Sequence, residues 1–136
     1  MPWKTTKEAA KRDKRQGKAP TTQAGEFVKE EIEHVRRGKH GARSPQQAIA
    51  IGLSKARRAG IPLPPPGKGQ AKERTRRSAQ SAYDVGQRKR KPRAPSRRRG
   101  EAAERALKRE PKSTASRRAL SSQAKRAAAR RRARPS

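Results

Sequence analysis

Residues 22–63, TQAGEFVKEEIEHVRRGKHGARSPQQAIAIGLSKARRAGIPL, hold nine of the twelve Val, Ile, Leu and Phe residues in the chain. No other stretch has the large apolar side chains for a core, so the fold is read outward from here. From about Gln23 to Arg37, at about 100° per residue, Ala24, Phe27, Val28, Ile32 and Val35 fall within an arc of about 140°. Glu26, Glu30, Glu31 and Glu33 occupy its early and middle turns and Arg36 and Arg37 its last, the order a helix macrodipole favours, and Gly38 follows as a stop. A second helix is punctuated more sharply. Ser44 is placed as N-cap, Pro45 at the first helical position, Gln47 as the third residue of a capping box, and Gly60 with Pro62 as the stop. Ala48, Ile49, Gly52, Leu53, Ala56 and Ala59 share one face, with Gly52 and the alanines allowing close approach. The two together predict a helical hairpin.

Two residues depart from that pattern. Glu31 projects into the apolar arc of the first helix, and Ile51 points away from that of the second. The simpler expectation is that Glu31 reaches a basic side chain at the rim and Ile51 is an isolated surface apolar residue. The sharper one is a self-association face, because a hairpin of some forty residues rarely stands without a staple, a metal or a partner. A homodimer or a partner-stabilised hairpin is therefore expected.

Composition sets the frame around the hairpin. Twelve Val, Ile, Leu and Phe among 136 residues, with 40 Lys plus Arg against 11 Asp plus Glu, is a balance typical of chains disordered on their own. A net charge of +29 names a polyanion as partner, and nucleic acid is the abundant one. The chain has no cysteine, which excludes a disulfide framework and a thiolate zinc site and fits a reducing compartment. With no apolar run of signal-peptide or membrane-span length, a cytoplasmic protein is expected. The cluster KRKPR at Lys89 to Arg93 has the form of a nuclear import signal but arises readily from such a composition.

Along the chain, residues 1–21 read as a basic arm with a short helix around Lys7 to Arg15. Its one aromatic, Trp3, is expected to be unanchored. The loop GKHGAR, Gly38 to Arg43, offers Lys39 and Arg43 and backbone N–H groups to a phosphate, beside the positive end of the second helix. Arg57 and Arg58 read as macrodipole and surface residues. PLPPPGKG, Pro62 to Gly69, reads as an extended polyproline II linker opening a tail over residues 64–136. That tail, rich in Arg, Lys, Ala and Ser, is expected to be disordered. Its helix-prone parts, Gln70 to Tyr83 and Gly100 to Glu110, are interrupted by RKRKPRAPSRRRG, and its last segment is expected to become helical only once phosphates neutralise it. Candidate phosphate ligands there are Arg76 and Arg77, then Arg88, Lys89, Arg90, Lys91 and Arg93. Next come Arg97, Arg98 and Arg99, then Arg117, Arg118, Lys125 and Arg126, and last Arg130, Arg131, Arg132 and Arg134. Arginine suits bidentate phosphate contacts and narrow minor grooves.

Catalysis has little to build on. Glu31 and His34 have the Glu-x-x-His spacing of carboxylate metal bundles, but a second such set is missing, and His40 is the only other histidine. No P-loop is present, since Gly60 and Gly67-Lys68 are too far apart and Gly69 stands where Ser or Thr is needed. No nucleophile, base and orienting group can be assembled. An enzyme, a metal and a cofactor are all unexpected. Sequence-specific reading lacks the short turn and third helix of a helix-turn-helix, and RNA-recognition sheets need more aromatics than Trp3, Phe27 and Tyr83.

From Phe27 to Ala59, the pattern V-x-x-G-K-H followed by SPQQAIAIGLSKA resembles a family of small basic bacterial proteins of undescribed function, sometimes labelled DNA-binding. The Ala/Lys/Arg/Pro/Ser tail is similar to linker-histone tails and to histone-like tails of some bacterial regulators. These resemblances imply a bacterial, nucleoid-associated protein and no catalytic residue. The expectation is a mainly α protein, a short helical hairpin (22–63) flanked by disordered basic segments (1–21 and 64–136). It would bind DNA without sequence preference and without a membrane. RNA or ribosome association, or an adaptor role for the hairpin, are the alternatives.

Overall fold

The computed structural model describes residues 3–92 and 96–133, and the chain is mainly α-helical. The helices are α1 (Lys4–Arg15), α2 (Pro20–Arg36), α3 (Pro45–Arg58), α4 (Glu73–Gly86), α5 (Arg97–Arg109) and α6 (Arg117–Ala133), with a 3-10 turn at Ser113–Ala115 before the last. Among the described residues there is no strand, only an isolated bridge between Lys68 and Ala71.

α3 begins and ends where its punctuation puts it and α2 stops where expected, but α2 begins at Pro20, three residues earlier than read, within the segment taken as the arm. Ser44 Oγ accepts from the Gln47 amide at 3.1 Å, while Gln47 Oε1 reaches back one residue further than a standard capping box and takes the Arg43 amide at 2.5 Å. At the other end Gly60 has φ 102°, and Ile61 N–H donates to Ala56 O and Gly60 N–H to Arg57 O, both at 3.1 Å, the paired bonds of a Schellman stop. The same pair closes α2, from Lys39 N–H to His34 O and Gly38 N–H to Val35 O.

The described parts of the flanking segments are largely helical, which corrects the expectation of disorder. The arm forms α1, and the tail forms α4, α5 and α6. The physical reason is an alanine core. Among the described residues ten apolar ones are buried and eight of these are alanines, Ala10, Ala24, Ala42, Ala48, Ala56, Ala79, Ala82 and Ala115, so a count of large aliphatic residues understates what the chain can bury. Alanine is also the strongest helix former and loses no side-chain entropy on burial.

By internal contacts the chain divides into two compact units, one of residues 1–31 with 50–95 and one of residues 32–49 with 96–136, so that α2 and α3 each run through both. In the first unit Ala10 of α1 joins Ala24 and Phe27 of α2 and Ala56 of α3 in one cluster, with Leu53, Ile61 and Leu63 against it. α1 thus supplies within the chain a partner for the hairpin's apolar face. It is tied down by Glu30, whose carboxylate accepts from the Trp3 backbone N–H and, at 3.2 Å, from Thr6 Oγ1. Trp3 is therefore anchored and half-buried rather than loose. The proline-rich stretch is extended but pinned, since Arg57 and Arg76 donate to the carbonyls of Leu63, Pro64 and Pro66. In the second unit Val35, Ala42, Ala48 and Ala115 are buried together with Ile32 beside them.

Glu31 does reach a basic side chain, but from the interior. It is 1% exposed, and its Oε2 accepts from Lys55 Nζ at 2.5 Å. Ile51 is half-buried, and Ala59, expected on the apolar face, is exposed. Removing one partner of a buried ion pair strands the other charge. Lys55→Met is therefore expected to cost about 2 kcal/mol in urea unfolding, the ammonium being partly solvated. Glu31→Gln with Lys55→Met should recover most of that loss, and a double variant no more stable than the single one would contradict the pairing.

Candidate nucleic-acid interface

α6 is positioned from its N-terminal side. Ala115, in the turn before it, is fully buried against Val35, Ala42 and Ala48. Arg36 Nε donates to Ala115 O at 2.8 Å and Thr114 Oγ1 to Ala42 O at 3.0 Å. Ser116 then caps the helix, its Oγ accepting from the Ala119 amide at 3.1 Å. From this mooring α6 runs seventeen residues with seven Lys and Arg, no acidic residue and no buried side chain. Ala119, Leu120, Gln123, Ala127 and Ala128 are its half-buried positions. Arg118, Lys125 and Arg132, seven residues apart, fall within a strip of about 40° away from the first four of these, spaced about 10.5 Å along the axis. Arg117 and Arg126 flank the strip, Arg130 and Arg131 fall on the side of the half-buried positions, and all four are exposed.

The other candidate ligands are less free. On α5, Arg97 pairs with Glu101 at 3.2 Å and Lys108 with Glu104 at 3.2 Å, while Arg98 and Arg99 stay exposed. On α4, Arg76 is held by Glu73 at 2.7 Å and by Pro66 O at 3.2 Å, which makes it a structural clamp; Arg77 lies 4.0 Å from Glu73. Arg88, the one non-glycine residue with positive φ among those described, ends α4 in the left-handed region at 61°. Beyond it Lys89 sits over the Tyr83 ring at 5.9 Å, Arg90 Nη1 donates to Ser81 Oγ at 3.2 Å, and Lys91 is exposed. Arg93 and Arg134 lie outside the described residues.

The GKHGAR loop does not offer the expected backbone cradle. The amides of Gly41 and Ala42 donate to Leu107 O at 2.8 Å and Pro111 O at 3.0 Å, so they are committed to the end of α5. Lys39 and Arg43 are exposed at the loop's two ends. His34 and His40 meet edge to face, ring centroids 6.1 Å apart, and the Glu31 carboxylate of the Glu-x-x-His spacing is engaged by Lys55.

One cation was misread from sequence. Arg57 is 7% exposed, not a surface residue, and burial pushes its guanidinium down from the usual arginine range. Its position three residues before the Gly60 stop was legible, but the carbonyls it serves lie beyond the turn. Glu26 is displaced in the opposite sense for a carboxylate. Burial raises its pKa, and the neighbouring Asp13 carboxyl adds to the rise.

Comparison of the chain with protein families, curated proteins and solved structures gave no match.

Proposed function

We propose that this protein binds DNA without catalysis and largely without sequence preference, as a histone-like, nucleoid-associated protein, with α6 as its main phosphate-contacting element. The observation that carries the reading is α6 itself, with seven cations, no acid and nothing buried. A helix has no packing reason to concentrate like charges in this way, and they repel one another until a polyanion neutralises them. At seventeen residues α6 is about 25 Å long, and a major groove about 12 Å wide admits a helix. The only carboxamide on α6, Gln123, is half-buried beside Ala119 and Leu120, which leaves the exposed strip to arginine, lysine and small residues. Cations of this kind fix a protein on the backbone, while carboxamides are among the groups that discriminate bases.

The test is a salt titration of the whole protein on duplex DNA and on structured RNA of matched length. The expected result is a slope of log K against log salt of about −5 or steeper on DNA, from six or more neutralised phosphates at about −0.9 each, with little dependence on base sequence. A slope shallower than about −2, or RNA preferred in direct competition, would overturn the assignment to DNA.

A further inference from the structure

A second charged feature lies in the first unit, apart from α6. A cavity of about 370 Å³ is lined by Ala50, Leu53, Ser54 and Arg57 of α3, by Pro66, and by Arg74, Thr75, Ser78 and Ala79 at the start of α4. Three independent features of that lining favour an anion. The first is Arg57. A guanidinium has five N–H donors, and this one spends two of them, Nε to Leu63 O and Nη2 to Pro64 O, both at 3.1 Å. Among the described residues no carboxylate lies within ion-pair distance of it, so the protein partners of this largely buried cation are carbonyl dipoles. The second is the N-terminus of α4, a helix of fourteen residues. Its N-cap, Lys72, makes no side-chain capping bond, so the first-turn amides at Glu73, Arg74 and Thr75 have no side-chain cap at the positive end of the helix dipole. The third is the remaining polar lining, in which Arg74 adds a second cation and Ser54, Thr75 and Ser78 add hydroxyl donors. The carboxylate of that first turn, Glu73, pairs with Arg76 and does not line the cavity.

We propose that this cavity is a phosphate-binding site, taking a phosphate group between the guanidiniums of Arg57 and Arg74 and the first turn of α4. The ligand supplies the counter-charge that Arg57 lacks and caps the helix, and the apolar remainder of the lining, Ala50, Leu53, Pro66 and Ala79, accommodates the organic part of a phosphate ester. The chemistry is the same whether the group belongs to the end of a nucleic-acid strand or to a free nucleotide-sized monoester. The site stands whether or not α6 binds DNA, because its residues all belong to the other unit.

The test is a titration of the full chain with inorganic phosphate, at ionic strength held constant with chloride, followed by amide and arginine Nε–H resonances. Saturable shifts are expected at Arg74, Thr75 and the Arg57 Nε–H. Arg74→Gln and Arg57→Lys should each weaken binding about tenfold, while Lys4→Gln on α1, an exposed cation outside the cavity, leaves it unchanged. If Arg57→Lys does not fold, Arg74→Gln with Ser78→Ala carries the comparison. Shifts that grow linearly without saturating, that are as large on α6 as at Thr75, or that survive Arg74→Gln would overturn the proposal. Deoxyadenosine monophosphate and an oligonucleotide with a 5′ phosphate or a 5′ hydroxyl then separate the two sources. A site for strand ends gains affinity from the 5′ phosphate, whereas a site for free monoesters binds the nucleotide and ignores the end group. Either result upholds the site.

Discussion

Changing Arg118, Lys125 and Arg132 together to glutamine is expected to lower duplex-DNA affinity by roughly 500-fold at 0.1 M salt and to flatten the salt slope by about 2.7. Each phosphate contact contributes about 0.9 to that slope, and at a tenth-molar salt the same quantity is close to a tenfold factor in affinity. The side chains are exposed and nothing on α6 is buried, so unfolding should not confuse the result. The informative control is a second triple change of equal charge, Arg76, Arg97 and Lys108 to glutamine. Those cations already face Glu73, Glu101 and Glu104 at 2.7 to 3.2 Å. The control should lose several times less affinity than the α6 variant. Equal losses would mean that net charge, and not this helix face, determines binding.

A large stability effect is expected at Gly52, where α3 approaches the backbone of α2. A Cβ built there would lie 2.6 Å from the Val28 Cα, 3.0 Å from its amide nitrogen and 3.1 Å from the Phe27 carbonyl oxygen. All three are backbone atoms, which cannot turn aside as a side chain can. Gly52→Val is accordingly expected to cost about 4 kcal/mol or more, enough to unfold a marginal domain. Gly52→Ala should cost about 2 kcal/mol, the clash being partly offset by alanine's better helix propensity. At Gly25, inside α2, a Cβ would meet nothing within 4 Å, so Gly25→Ala should stabilise by about 0.5 to 1 kcal/mol. Urea unfolding followed by helical circular dichroism measures all three. An unchanged midpoint for Gly52→Val would refute the close approach.

These sites differ in how far they could be read in advance. Gly52 stood on the apolar face of a helix whose cap and stop were both written locally, and its use for close approach follows from having no side chain. The cations of α6 were equally visible, but not that they would be carried on a formed helix. That depends on Ala115, a single methyl group, reaching Val35, Ala42 and Ala48 from a distance of many residues. Alanine carries so little apolar area that its burial leaves almost no mark on a local pattern. The same limit concealed α1 and α4, whose buried apolar residues are Ala10, Ala79 and Ala82.

Charge was misleading in a related way. Among the described residues two of the four largest fully buried side chains are Glu30 and Glu31, which in sequence form an ordinary acidic helix half. Their partners Thr6 and Lys55 are each 24 residues away. Arg57 acquires its carbonyl acceptors only after the chain turns at Gly60 and runs back through the prolines.

The sequence by itself determined the cap of α3, the glycine stops of α2 and α3 and the strong positive charge, because caps and stops act within a few residues and net charge is a sum over the whole chain. Only the tertiary structure decided which alanines became core, which charges were buried and which stayed on the surface, because a methyl group or an ion has no fixed preference until a particular neighbour arrives.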